Sequence, residues 1–157
     1  MERGNIAKTQ GIDPNPRTIT LHAIGHVERE RPDTELPAGE LRARPARIVL
    51  DPALAEGLMG LEPGDDVLVL YWFHRSAGYD LQLHPRGDPG QPLRGVFATR
   101  SPRRPNPVGA TVACIQRIEG NVLEVVGLDA LDGSPVLDIK PYAASFDTPY
   151  SKQTSEV

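Results

Sequence analysis

A stretch rich in arginine and proline runs from Arg94 to Ala110 and reads RGVFATRSPRRPNPVGA. Guanidinium groups match the geometry of phosphates and carboxylates, and each proline stiffens the loop by fixing its own φ at about −65°. Such a loop is suited to bind anions, because little conformational entropy is lost on binding. A solvated turn and a polyproline ligand for an SH3-like partner stay open as alternatives. The residues concerned are Arg100, Arg103, Arg104, Pro102, Pro105 and Pro107.

Other side chains that could do chemistry give weaker patterns. His22 and His26 have no cysteine or carboxylate cluster at metal-ligand spacing, so no metal site is predicted. Cys114 lies in an apolar run, VACIQ, which favours a buried thiol over a nucleophile. The usual dinucleotide, P-loop and nucleophile-elbow patterns are absent. Three aspartates could share a cavity, although surface acids are the simpler interpretation: Asp129, Asp132 and Asp138.

Composition and charge limit the class of protein. The 157 residues are 39% hydrophobic and 24% charged, enough for one domain with a hydrophobic core. No apolar run approaches the roughly 20 residues that span a bilayer, and no signal-peptide pattern is present, so we expect a cytoplasmic protein without membrane association. The net charge of −4 argues against indiscriminate nucleic-acid binding, yet five arginines fall within residues 86–104.

Alternating and β-branched apolar residues predict a series of short strands. The run DDVLVLYWF is the most apolar and is predicted as a central strand covered on both faces. Asp51-Pro52 predicts the start of a short helix, and Gly120-Asn121 predicts a tight hairpin. The predicted strands are Thr18–Val27 with a break at Gly25, Ala46–Leu50, Asp65–Phe73, Leu81–Leu83, Val108–Ile118, Val122–Gly127 and Val136–Ile139.

These elements predict a mainly β fold. Seven or eight short strands without βαβ alternation are typical of a compact antiparallel or mixed β-barrel, here with one or two short helices. The proline-bearing segment Glu28–Arg44 is predicted to be a long loop. We predict a flexible arm over residues 1–17, a single barrel domain over 18–147 and a polar tail over 148–157.

Three longer motifs carry a resemblance to a known family. LYWFHRSAGY, GVFATRSPRRPNPVG and GLDALDGSPVLDIKPY occur in this order and together resemble the TsaA/TrmO family over roughly residues 19–147. That family consists of S-adenosylmethionine-dependent tRNA methyltransferases, which modify adenosine 37 on N6 of its threonylcarbamoyl derivative. The resemblance implies a compact TsaA-like β-barrel, usually a homodimer, with tRNA as its partner.

The resemblance also implies site residues. S-adenosylmethionine offers a carboxylate to an arginine, ribose hydroxyls to an acid and an adenine to backbone groups at a glycine turn. Methyl transfer needs chiefly positioning and desolvation, so the catalytic residue stays unknown, with Asp138 and Tyr142 as candidates for holding the acceptor amine. The implied cofactor-binding residues are His74, Arg75, Arg100, Ala110, Leu131, Asp132, Gly133 and Ser134, and the expected RNA-binding residues are Arg103, Arg104, Asn106 and Lys140.

Two departures from the family pattern keep alternatives open. The early loop reads ELPAGELRARPARIV and lacks the Pro-Arg-Gln element that often contributes to the cofactor site. The given sequence also ends soon after KPYAASFD, whereas some relatives carry a C-terminal domain linked to tRNA engagement. A methyltransferase of a small molecule or other acceptor is therefore one alternative. A non-catalytic binding module that presents the basic, proline-rich loop is another.

Overall fold

The computed structural model describes residues 18–30 and 36–153, so the predicted arm at 1–17 lies outside the described residues. The strands are β1 Gly25–Glu28, β2 Ala46–Leu50, β3 Asp66–Trp72, β4 Gln82–Leu83, β5 Arg94–Gly95, β6 Val108–Glu119, β7 Val122–Val126 and β8 Pro135–Pro141. The helices are α1 Ala38–Ala43, α2 Ala144–Asp147 and α3 Tyr150–Gln153, with 3-10 helices at Pro52–Leu58, Pro85–Gly87 and Val96–Ala98.

Six of these strands close into an antiparallel barrel in the order β1-β2-β7-β6-β3-β8. Closure depends on β1 and β8, which pair where Gly25 faces Val136 and His26 faces Pro135. β4 and β5 form a separate two-stranded ribbon outside the barrel. The predicted mainly β fold and the predicted barrel are therefore confirmed, and each strand pair in it is antiparallel.

The hydrophobic core fills the inside of the barrel. Along β2, β3 and β7 alternate side chains are buried, because successive residues of a strand point to opposite faces. β3 is central, as predicted, since it pairs with both β6 and β8, but its outward-facing side chains are only partly buried. The side chains with no exposed surface include Val27, Ile48, Val67, Val69, Ile115, Leu123, Val125, Leu128 and Val136.

The β3–β8 ladder shifts register beside the buried side chain of Tyr71. Leu70 pairs with Asp138, and Tyr71 pairs with Val136, so Leu137 is left without a partner in the ladder. A bulge of this kind bends and twists a strand, which helps a sheet of only six strands to close. Tyr71 itself is 2% exposed and points into the barrel.

The first strand differs from the prediction. Residues 18–24 have no regular secondary structure, and β1 begins at Gly25, where the sequence pattern predicts a break. The reason is close packing, because a Cβ at Gly25 would collide with the carbonyl oxygen of Val49 in β2. The glycine is therefore the residue that allows β1 to pair, and of the two histidines only His26 lies in the strand.

The helical content is also corrected. Glu28–Arg44, predicted as a loop, contains the last residue of β1 and helix α1, which forms because Leu41 is buried at 3% exposure. The described residues hold three short α-helices instead of one or two. The predicted helix after Asp51 is present as a 3-10 helix, and the Asp51 carboxylate accepts a hydrogen bond from the Ala53 amide at 3.0 Å. None of the helices in the described ranges is long and apolar enough to cross a membrane.

We expect Gly25→Ala to lower the free energy of unfolding by more than about 2 kcal/mol, because the added methyl group meets the backbone of β2. Urea denaturation followed by circular dichroism measures this change. Gly57→Ala is the matched control, since a Cβ there has no heavy atom within 4 Å among the described residues. Equal stability of the two variants would contradict the assigned β1–β2 pairing.

Candidate active site

The proline-rich loop, residues 99–107, is held in place by its own arginines. It connects the 3-10 helix Val96–Ala98 to β6. Arg100 Nη2 donates to the carbonyl oxygen of Ala110 at 2.8 Å, and Arg104 Nη1 donates to that of Thr99 at 3.1 Å. These contacts and the fixed φ angles of the prolines hold the loop rigidly against the barrel, so it is not an extended segment free to bind a partner domain.

Arg103 ties the loop to the segment after β3. Its Nε donates to Asp80 Oδ2 at 2.7 Å, and its Nη1 donates to the carbonyl oxygen of Ala77 at 3.0 Å. The hydrogen bond and positive charge of Arg103 lower the pKa of the Asp80 carboxyl. Ser76 adds a hydrogen bond to the carbonyl oxygen of Pro102 at 2.9 Å. The loop and the segment 76–80 therefore form one continuous surface.

A cleft of about 460 Å³ lies between this loop, the end of β3 and the loop that joins β7 to β8. Small-molecule sites usually measure about 300 to 1,000 Å³. Five of the eight predicted cofactor residues line the cleft together, although they come from three separate segments: His74, Arg75, Arg100, Leu131 and Ser134. Phe73, Asp129 and Ala38 of α1 also line it.

The other three predicted cofactor residues lie at its border. Ala110 accepts the hydrogen bond from Arg100 and lines an adjoining cavity of about 240 Å³. Asp132 accepts a hydrogen bond from the backbone amide of Arg29 at 2.8 Å. Gly133 has a positive φ of 78°, and a Cβ there would lie 3.6 Å from His74 Nε2. A side chain at position 133 would therefore contact His74 and reduce the space between this turn and the imidazole.

His74 is held next to the β7–β8 loop by Ser134, whose Oγ lies 3.3 Å from His74 Nδ1. His74 is exposed, but partial desolvation of its ring lowers its pKa, the positive charge of Arg75 lowers that pKa further, and the negative charge of Asp132 opposes both. The imidazole is therefore neutral at pH 7. Arg75 makes no side-chain hydrogen bond or ion pair with any residue in the described ranges, so its guanidinium is free to meet an anion.

A buried arginine that follows β1 fixes the β7–β8 loop. Arg29 is 8% exposed, and its Nη2 and Nε donate to the carbonyl oxygens of Leu128 and Ala130 at 2.7 and 2.8 Å. Its Nη1 donates to Leu41 in α1 at 3.2 Å. A buried charge needs such partners, since unpaired it would be strongly destabilising. Arg29 thereby positions a wall of the cleft without lining it.

Asp129 lies where the cleft meets the adjoining cavity and lines both. Its Oδ1 accepts hydrogen bonds from the hydroxyl groups of Tyr71 at 2.8 Å and Thr111 at 2.5 Å. Burial of the ring and the negative charge of Asp129 raise the pKa of Tyr71, so this hydroxyl stays a donor. Both hydrogen bonds within the described residues end on Oδ1, which leaves Oδ2 available to a ligand.

The family of this chain follows from its similarity to known proteins. Residues 29–148 match the family described as the tRNA-methyltransferase O N-terminal domain. The chain belongs to this family. The family predicted from the three motifs is confirmed, and with it, at the level of the family, the enzyme class of S-adenosylmethionine-dependent methyltransferases.

Several relatives and solved structures support the same family. The probable S-adenosyl-L-methionine-binding protein of Pyrococcus horikoshii is 42% identical over 73% of this chain and 85% of its own. The tRNA (adenine(37)-N6)-methyltransferase of Mus musculus is 45% identical over 59% of this chain, but only 22% of its own length is covered. The crystal structure of TrmO from Pseudomonas aeruginosa matches 89% of this chain at 30% identity with a TM-score of 0.64. The chain spans 63% of that TrmO chain.

The TrmO-family cleft does not include every residue that the sequence suggests. The predicted catalytic candidate Asp138 lies on a different, apolar groove and forms an ion pair of 2.6 Å with Lys140. Tyr142 is 43% exposed and follows β8, outside the set that lines the cleft, and Asn106 is exposed at the end of the proline-rich loop. The roles of these residues stay predictions.

Two residues with clear structural roles are missed by the sequence motifs. The period-2 pattern of β3 could have placed Tyr71 on the inner face, but no pattern pairs it with Asp129, 58 residues later. Arg29 lies in a charged segment, HVERER, that reads as solvated, and nothing in the sequence indicates its burial. Long-range contacts of this kind depend on the barrel.

The pH dependence of His74 tests the cleft's electrostatics. The pKa of His74 in the folded protein lies below the unfolded value of about 6.5. Its contribution to the free energy of unfolding is therefore fully present above pH about 6.5, and it is lost as the pH falls from there through the folded pKa. NMR titration of the imidazole should give a midpoint below about 6.5. Arg75→Gln should raise the midpoint, whereas Arg117→Gln, a surface control paired with Glu119, should not. A wild-type midpoint at or above the ordinary value would contradict the assigned environment.

Proposed function

We propose that this protein is an S-adenosylmethionine-dependent methyltransferase that modifies N6 of adenosine 37, or of its threonylcarbamoyl derivative, in tRNA. The observation that carries the proposal is the gathering of five predicted cofactor residues from three segments around one cleft of about 460 Å³. The relatives' names support the cofactor and the acceptor, since they describe S-adenosyl-L-methionine-binding proteins and tRNA (adenine(37)-N6)-methyltransferases.

The residues of the cleft fit this cofactor chemically. The Arg75 guanidinium, which has no partner among the described residues, would meet the cofactor's carboxylate. The turn at Leu131–Ser134 supplies an apolar side chain and backbone groups for the adenine, and Gly133 leaves the space that a Cβ would fill. The 3-10 and proline-rich segments around Arg100 form the opposite wall.

The chain's own residues would act by positioning and by accepting a proton. When bound, the cofactor supplies an electrophilic methyl group on a sulfonium. Tyr71 and Thr111 hold Oδ1 of Asp129, so Oδ2 can accept a hydrogen bond from the acceptor amine and orient its nitrogen toward the cleft. The same carboxylate can take the proton that the nitrogen loses on methylation. The rigid walls from Arg29 and the proline-rich loop keep this geometry and limit water.

A small-molecule acceptor is the second candidate. The net charge of −4 favours it, because a polyanionic RNA is attracted only by a local excess of positive charge. The binding-module alternative is disfavoured, since Arg103 and Arg104 hold the loop against the barrel instead of leaving an extended peptide. Incorporation of labelled methyl groups into bulk tRNA or into a metabolite extract separates the two methyltransferase candidates.

Arg75→Ala should weaken S-adenosylmethionine binding about tenfold or more, because a charged hydrogen bond contributes roughly 1.5 to 3 kcal/mol. Isothermal titration calorimetry measures the affinity. Arg117→Ala removes the same charge on another face and should bind like the wild type. If both variants bind equally well, the carboxylate is held elsewhere and the assignment of Arg75 is wrong.

Asp129→Asn should reduce the rate of methyl transfer about 10²-fold or more while leaving cofactor affinity within a few fold. Single-turnover methylation of tRNA under saturating cofactor measures the rate, and thermal unfolding confirms that the variant is folded. Asp138→Asn is the informative comparison, since Asp138 is the candidate suggested by the sequence. A rate loss in Asp138→Asn alone would return the role of holding the amine to Asp138.

A homodimer and a cytoplasmic location belong to the same proposal and rest on the family resemblance and on the sequence alone. Sedimentation equilibrium of the purified chain tests the first, and fractionation of cells that produce it tests the second.

A further inference from the structure

A second and larger depression, about 760 Å³, adjoins the cofactor cleft. Its walls are the β4–β5 ribbon, the 3-10 helix Pro85–Gly87 and the proline-rich loop. Arg100, Pro102 and Arg103 line both the depression and the cleft, so only this stretch of loop separates them. We call the larger depression the ribbon groove.

The ribbon groove is positively charged, although the chain as a whole is acidic. Four arginines and one aspartate line it: Arg86, Arg94, Arg100, Arg103 and Asp80. The single carboxylate is already paired with Arg103, and Arg100 donates to the Ala110 carbonyl oxygen. An excess of three positive charges is left, four arginines less one aspartate, and it is concentrated in one concave surface.

Two of these arginines have no partner of their own. Within residues 18–30 and 36–153, neither Arg86 nor Arg94 makes a side-chain hydrogen bond or ion pair, and both are exposed. The sequence suggests Arg103 and Arg104 for RNA contact, but their side chains already donate hydrogen bonds within the protein. Arg103 donates to the Asp80 carboxylate and the Ala77 carbonyl oxygen, and Arg104 donates to the Thr99 carbonyl oxygen. Among the four arginines of the groove, the guanidinium groups that are free for an external anion are therefore those of Arg86 and Arg94.

The backbone at Arg86 adds a separate observation. Its φ is +58°, and it is the one non-glycine residue with positive φ in the described ranges. A left-handed conformation is unfavourable for any residue other than glycine, and strained residues of this kind cluster at ligand sites. The fold thus holds an arginine in a position where glycine would be relaxed, at the rim of the groove.

An exposed aromatic ring favours a nucleic acid over other polyanions. Phe97 is 78% exposed and, although it does not line the groove itself, it precedes the lining residue Ala98 in the chain and follows the lining residue Arg94 by three positions. Single-stranded RNA is recognised by stacking of unpaired bases on aromatic side chains, combined with arginine contacts to phosphates. An acidic peptide would use the arginines but has no flat base to stack on Phe97.

We infer that the ribbon groove binds the phosphate backbone of a single-stranded RNA segment through Arg86 and Arg94, with Phe97 stacking on a base. This inference rests on the proposed function, because an RNA held there would present a neighbouring nucleotide across the Arg100–Arg103 stretch to the cofactor cleft. The family match alone names no such residues. Arg94 belongs to β5, whereas Arg86 and Phe97 come from the 3-10 helices Pro85–Gly87 and Val96–Ala98.

The test uses the full chain and a fluorescein-labelled RNA stem–loop, with fluorescence anisotropy measured over a series of KCl concentrations. Arg86→Ala/Arg94→Ala should weaken binding roughly tenfold or more and reduce the slope of log K against log[salt] by about 1.4, since each phosphate contact to a single strand contributes about 0.7. Arg47→Ala/Arg117→Ala removes the same charge from the barrel surface and should leave affinity and slope near those of the wild type.

Phe97→Ala should weaken RNA binding several fold without changing the salt slope, whereas Phe146→Ala, at another exposed ring after β8, should leave binding unchanged. The inference is overturned if the wild type does not bind the RNA, if Arg86→Ala/Arg94→Ala binds like the control, or if polyglutamate competes as well as RNA of equal charge.

Calorimetry with S-adenosylmethionine on the same samples separates this inference from the proposed function. Lost cofactor binding in the wild type would count against the proposed function, and retained cofactor binding with an inert ribbon would count against this inference alone.

Discussion

The buried guanidinium of Arg29 is the interaction on which the candidate site depends. It follows β1, the short strand that closes the barrel, and it donates to backbone carbonyl groups of the β7–β8 loop and of α1. Closing the barrel and shaping the cleft are therefore one event, because the strand that completes the sheet also delivers the donors that fix the cleft wall. A loop with unsatisfied buried carbonyl groups would not hold this shape.

The arginines around the site divide into two groups by the partners that they have. Arg29, Arg103 and Arg104 donate to the chain's own carbonyl groups and act as internal supports. Arg75, Arg86 and Arg94 are exposed, and none of them has a side-chain partner in the described part of the chain. Their guanidinium groups are therefore available to form charge-assisted hydrogen bonds with an anion. Counting arginines in a basic segment does not make this distinction, since a structural and a ligand-binding guanidinium look alike in sequence.

Much of the fold follows from local pattern. Apart from β5, the strands from Ala46–Leu50 onward and the hairpin at Gly120-Asn121 are predicted by alternation of apolar residues and by turn chemistry, which act over a few residues. The predictions failed at the N-terminal end. A glycine often interrupts a strand because its backbone is flexible, but Gly25 instead permits β1 to pack closely against β2. Helix α1 forms because Leu41 is buried by partners distant in sequence.

The family and the barrel can be predicted from the sequence, because long ordered motifs and period-2 patterns are properties of neighbouring residues. Five of the eight cofactor residues predicted from the motifs also line the cleft. The folded barrel is needed to see that Asp129 meets Tyr71 and Thr111, that Asp138 lies on another groove, and that Arg103 is already paired. The physical reason is that barrel closure brings together side chains that are distant in sequence. Which donors and carboxylates remain available to a ligand is decided by those contacts.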